Sequence, residues 1–194
     1  MEEANYYPMS FELGLLAGLV TLSAFFFYIR DSVSGRSRPN RATWIIWTVL
    51  SLVITASYYA SGARDTIWAA IGFTIGQASV ALVSLRYGTG GWSTFDKACL
   101  AGAGLGLFAW ALSGSAFLAL IIAMMVDAVG ALPTIRKLLA EPDSESRTAW
   151  AVFSIGNILN VLAIERWTIE IALFPVYFLI VNGVVLLLSL RKPK

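Results

Sequence analysis

One carboxylate in this chain lies where burial makes chemistry the first question. Asp127 sits inside the apolar run 116–134. A charged side chain at the centre of a bilayer costs about 3 kcal/mol on insertion scales and more in simulations, so such groups are usually kept for function. Pro133 follows six residues later, near the end of the same run. A proline in a membrane helix frees a backbone carbonyl and permits a bend, which makes Pro133 a candidate hinge. Asp127 reads either as a direct ligand for an amine or hydroxyl, or as a protonation site.

Other polar residues fall at one depth with it. Thr21 stands nine residues before Arg30 and Asp127 nine before Arg136; Gln77 stands nine before Arg86 and Asn182 nine before Arg191. Ser51 and Asn157 each lie seven residues past a tryptophan, Trp44 and Trp150. At 1.5 Å per residue these positions are roughly 10–14 Å into a core about 30 Å thick, near its midplane. Thr48, Ser51 and Thr55 share one helix face, as do Ser154, Asn157 and Asn160. Trp47 and Phe153 could wall a pocket one level away. The pattern predicts a substrate-binding layer in which Thr21 faces Asp127, Ser51 faces Asn157 and Gln77 faces Asn182.

A plainer reading competes for most of these residues. Amides and hydroxyls in membrane helices often just hydrogen-bond a neighbouring helix, at about 0.6 kcal/mol each. Thr48 and Thr55 can bond their own backbone, and Pro133 could simply terminate its helix. Asp127 resists that reading, since a neutral amide would join helices at lower cost. Trp44, Trp68, Trp150 and Trp167 stand at span ends, where interfacial anchoring is expected, and are given no substrate role. Glu12 and Glu170 lie near outer ends, within reach of water.

The elements that must hold this layer follow from hydropathy. The chain is 58% hydrophobic and 13% charged over 194 residues, too apolar for a soluble domain. Seven runs approach bilayer length: 9–28, 42–59, 66–85, 98–113, 116–134, 149–164 and 168–190. The expectation is an all-α polytopic membrane protein with no separate soluble domain. With seven spans, the loops on one side carry Arg64 and Arg166 and those on the other carry the remaining 12 of the 14 basic residues. The positive-inside rule then puts the amino terminus outside and the carboxyl terminus in the cytosol of a cell whose inner or plasma membrane holds the chain.

Composition also excludes several chemistries. The basic residues are spread over short loops and not gathered on one folded face, so no nucleic-acid partner is expected. The start of the chain is acidic and lacks the basic region of a cleavable signal. Cys99 is the single cysteine and there is no histidine, which removes an internal disulfide, multi-cysteine metal sites and the commonest general base. No cofactor is implied. An enzyme is disfavoured, because no second acid lies at the depth of Asp127. A retinal-type photoreceptor would need a lysine deep in a span. All four lysines, Lys97, Lys137, Lys192 and Lys194, lie at cytosolic ends.

An internal repeat organises the spans. Shifted by 106 residues, Ile29-Arg30 falls on Ile135-Arg136, Arg41 on Arg147 and Trp44 on Trp150. Shifted by 105, Ser84-Leu85-Arg86 falls on Ser189-Leu190-Arg191 and Phe73 on Phe178. Residues 9–85 therefore form a first three-helix repeat and 116–190 a second, with 98–113 a linking helix rich in Gly102, Gly104 and Gly106. An odd linker keeps both repeats parallel, related by an axis along the membrane normal. Small residues in the linker suit close helix approach. Asn40 and Ser146 stand where helix caps are expected.

Seven spans, an outside amino terminus, three-plus-one-plus-three parallel repeats and a proline near the inner end of the fifth helix resemble the SWEET and PQ-loop transporter superfamily. The family's Pro-Gln signature reads Pro133-Thr134 in one half and Phe27-Tyr28 in the other. The resemblance implies that Gln77 and Asn182 hold the places of an asparagine pair in the sugar site. Nicotinamide riboside transporters and KDEL receptors are similar in architecture, so the fold spans solute transport and peptide binding. The leading expectation is a carrier for a small polar solute. Its site lies between the repeats, works by alternating access, and leaves proton linkage through Asp127 open. The rival is a non-transporting receptor or assembly protein that uses the same cavity for a ligand or partner helix. Lipid is the expected surrounding, and a homo-oligomer is left open.

Overall fold

Each apolar run folds as a helix, and three of the seven helices overshoot their run at one end by several residues. The computed structural model describes residues 9–37, 39, 41–90, 92–140, 142 and 145–191; side chains at some helical positions, Pro133 and Cys99 among them, lie outside the described residues, as does Asn40. The helices are α1 (Met9–Val33), α2 (Arg41–Ala60), α3 (Ile67–Tyr87), α4 (Thr94–Ser113), α5 (Ala116–Ala140), α6 (Arg147–Leu162) and α7 (Ile169–Ser189), and no strand occurs among the described residues. Hydropathy ends a run where charge begins, but arginine, lysine and leucine are good helix formers. So α1 continues past Arg30 to Val33, and α5 continues through Pro133 to Ala140. Pro133 is therefore interior to α5 and does not terminate it.

Four helices, α1, α2, α3 and α7, are long and apolar enough to cross a membrane. Apolar stretches in α4 and α5 are shorter, Leu100–Ser113 and Ala116–Leu132. Helix α6 has 16 residues, or about 24 Å at 1.5 Å per residue.

The helices pack as a ring. Helix α3 lies between α1 and α2, and α7 between α5 and α6; the two triplets meet along α1–α6 and α2–α5. Helix α4 stands outside this ring against α5 and α2. Glycines set the tightest seams. A Cβ on Gly72 would stand 2.6 Å from the Gly18 carbonyl oxygen, and one on Gly18 2.5 Å from that of Trp68. Between α1 and α6, a Cβ on Gly156 would stand 2.5 Å from Thr21 Oγ1. In α4, Gly102 and Gly106 face Val126 and Ile122 of α5, whereas Gly104 faces open space.

Both triplets finish in the same way. Arg41 Nε donates to the Ser84 carbonyl at 3.1 Å, and Arg147 Nε donates to the Ser189 carbonyl at 2.7 Å. The Ser84 carbonyl also accepts from the Gly88 amide at 2.8 Å, and the carboxyl end of a helix attracts cations. At this basic end Ser146 caps α6, accepting from the Ala149 amide at 3.4 Å, and its hydroxyl donates to Asp31 Oδ2 at 2.8 Å. Asp31 also accepts from Arg36 and Arg30, so the end of α1 is tied to the start of α6.

Candidate functional site

A cavity of about 50 Å3 opens inside the ring, from its middle toward the basic end. Asp127 of α5, Gln77 of α3 and Asn182 of α7 meet at its deep end. Trp47 and Phe153 wall it, together with Phe73, Phe178, Trp44 and Trp150. Each polar group is there because its helix turns a narrow polar face inward: Gln77, Asp127 and Asn182 are all buried. A water needs about 10–15 Å3, so the cavity has room for a small polar group.

The centre of the site is a carboxylate with one donor. Asp127 is 8% exposed, and its Oδ2 accepts from the Tyr177 hydroxyl at 2.7 Å. No ion pair to Asp127 occurs among the described residues; the two salt bridges formed there both belong to Asp31. Gln77 Oε1 and Asn182 Nδ2 are buried without a hydrogen-bond partner. Such groups are costly unless something pairs with them, at about 1–3 kcal/mol each.

The end of the ring opposite the basic one is shut by aromatic and polar packing. Phe73 and Phe178 lie 4.8 Å apart between ring centroids, Phe178 lies 4.7 Å from Phe174, and Phe174 stacks on Tyr58 at 4.8 Å. A second hollow of about 10 Å3, lined by Ser51, Thr55, Gln77 and Asp127, sits among these rings. Beyond it the Tyr58 hydroxyl donates to the Ile171 carbonyl at 2.6 Å and bonds Thr66 at 2.7 Å. Pro175, inside α7, explains that carbonyl's freedom, because it lacks the N–H that would reach back four residues. Glu165 accepts from the Arg64 amide and the Thr66 hydroxyl, and Arg166 donates to Gly62, closing the two outer loops on each other.

The expected layer is only partly gathered here. Asp127, Gln77, Asn182, Trp47 and Phe153 share the main cavity, and Ser51 lines the smaller one. Thr21 does not face Asp127; it is packed against Gly156 on the α1–α6 seam. Asn157 and Asn160 are both 0% exposed, away from either cavity, with no partner for their amide atoms. Thr48 donates to the Trp44 carbonyl, Ser51 to Thr48 and Ser154 to Trp150, each within its own helix. Thr55 instead reaches α3, bonding Thr74 Oγ1 at 2.8 Å and the Ala70 carbonyl at 3.2 Å.

Two assignments change. Trp44 and Trp150 are not merely anchors at the lipid boundary. Trp44 is 6% exposed and both line the cavity, because α1 and α5 extend past them. Trp167 is 71% exposed and lines neither cavity. Tyr177, Tyr58 and Pro175 were missed, the first two because tyrosine in an apolar run reads as filling. A signal existed in the 105-residue register, where Tyr177 falls on Gly72. Among the described residues no three His, Cys, Asp or Glu side chains gather as a metal site would require. No known protein family matches the chain, and no curated protein or solved structure matches it either.

Proposed function

We propose that this chain is a membrane carrier that moves a small polar solute by alternating access, with the site between two three-helix repeats. All seven helices cross the bilayer in this reading, with the amino terminus outside and the basic end in the cytosol, as in SWEET-like transporters. The carrying observation is the meeting of Asp127, Gln77 and Asn182 in one cavity at mid-height of a six-helix ring. Buried hydrophilic groups in such a place are unfavourable for a purely structural bundle and useful for a solute that leaves water. The matched Arg41–Ser84 and Arg147–Ser189 bonds favour two copies of one triplet. The aromatic plug on the Tyr58 side and the cavity on the basic side correspond to an inward-facing state.

Purified protein in proteoliposomes tests this directly. Counterflow of a labelled solute, with and without a pH gradient, should exceed that of empty vesicles, and Asp127→Asn should reduce it. Coupling to protons through Asp127 is rejected if Asp127→Asn transports at the wild-type rate with unchanged pH dependence. Saturable binding with no flux would instead favour the receptor reading.

A further inference from the structure

Three features of the cavity narrow the solute's chemistry. The first is charge: Asp127 is buried and no cationic side chain pairs with it among the described residues. A buried carboxylate without a counter-charge is strongly unfavourable, and a cationic ligand would supply the missing charge. The second is the wall. Trp44, Trp47 and Trp150 all line the cavity, and an indole face attracts cations better than any other aromatic ring. The third is the pattern of unpaired atoms: Gln77 Oε1 lacks a donor and Asn182 Nδ2 lacks an acceptor.

We infer that the solute is a small protonated primary amine. Its ammonium group would sit between the Asp127 carboxylate and Gln77 Oε1, with its carbons against the tryptophans. A quaternary ammonium would satisfy the charge and the indoles but would leave the Gln77 oxygen without a donor. A sugar would leave the carboxylate uncompensated. An acceptor group on the amine, such as a hydroxyl two carbons away, would take the free Asn182 N–H. A metal cation would need several oxygen ligands, and among the described residues Asp127 is the one carboxylate lining the cavity.

The inference rests on the cavity being the carrier's solute site, so binding and flux must be read separately. Tryptophan fluorescence of the purified full chain in detergent, titrated at neutral pH with ethanolamine, tetramethylammonium and ethylene glycol, reports binding alone. Ethanolamine should give a saturable change, tetramethylammonium a weaker one and ethylene glycol none. Asp127→Asn should weaken ethanolamine binding about tenfold to hundredfold, the effect of losing one charged hydrogen bond, and Asp127→Glu should recover part of it. Unchanged binding by Asp127→Asn, or equal response to ethylene glycol, overturns the ammonium site and leaves Asp127 to carry a proton. So does a flat ethanolamine titration in a protein that moves neutral solutes, and there the carrier reading survives. Ethanolamine binding without ethanolamine counterflow keeps the ammonium site and overturns the carrier.

Discussion

The Tyr177 hydroxyl donates to Asp127 Oδ2 across 2.7 Å, joining α7 to α5 where the other triplet has no room for such a bond. Tyr177 stands twelve residues before Ser189, as Gly72 stands twelve before Ser84. Gly72 lets α3 close on Gly18 of α1; Tyr177 holds α7 off α5 and fills the gap with a polar contact. The same asymmetry separates the seams between triplets. Gly156 closes α6 onto Thr21, whereas Asp127 remains in the cavity. Glycine thus seals the α1–α3 and α1–α6 seams, while the hollow and its carboxylate lie inside the ring between the triplets.

Removing the hydroxyl should expose that dependence. Tyr177→Phe leaves Asp127 without its donor and should destabilise the protein by about 1–3 kcal/mol. Asp127→Asn should cost less once Tyr177 is already Phe, because the two residues act as a pair. Thermal unfolding of the four members of this cycle in detergent measures the coupling; strictly additive losses would contradict it.

Two glycines should respond in opposite directions. Gly72→Ala drives a Cβ against the Gly18 backbone and should destabilise by about 1–3 kcal/mol through overpacking. Gly104→Ala meets nothing within 4 Å, so helix propensity alone should act and stabilise by up to about 1 kcal/mol. Thermal unfolding of both variants decides the sign of each.

The outer closure hangs on Tyr58. Tyr58→Phe removes the bond to the Ile171 carbonyl freed by Pro175 and the bond to Thr66. The expected loss is about 1–3 kcal/mol, with faster amide exchange in 60–66 and 163–171 by mass spectrometry. Unchanged exchange in both segments would show that the outer loops are held by Glu165 and Arg166 instead.

The helices were legible because apolar runs of near-bilayer length are hard to mistake, and all seven starts fall within four residues of the hydropathy breaks. The far ends of α1 and α5 were not, since backbone hydrogen bonding is indifferent to the charge at Arg30 or Arg136. Asp127, Gln77 and Asn182 were legible as a group from their equal distance to the next arginine. Thr21 shared that spacing and Asn157 was placed at the same depth from Trp150, yet both lie elsewhere, because depth is readable from spacing while azimuth depends on packing. Gly156 and Gly72 decide that packing, and their effect appears only when the partner helix is known.

Alternating access requires the mid-height layer to meet water from each side in turn. With Cys99→Ala removing the native thiol, Asn182→Cys places a single reporter at a position now 4% exposed. In sealed, oriented vesicles an impermeant maleimide should label it from the basic face and, in another fraction of molecules, from the Tyr58 face. Labelling confined to one face under every condition would contradict a carrier.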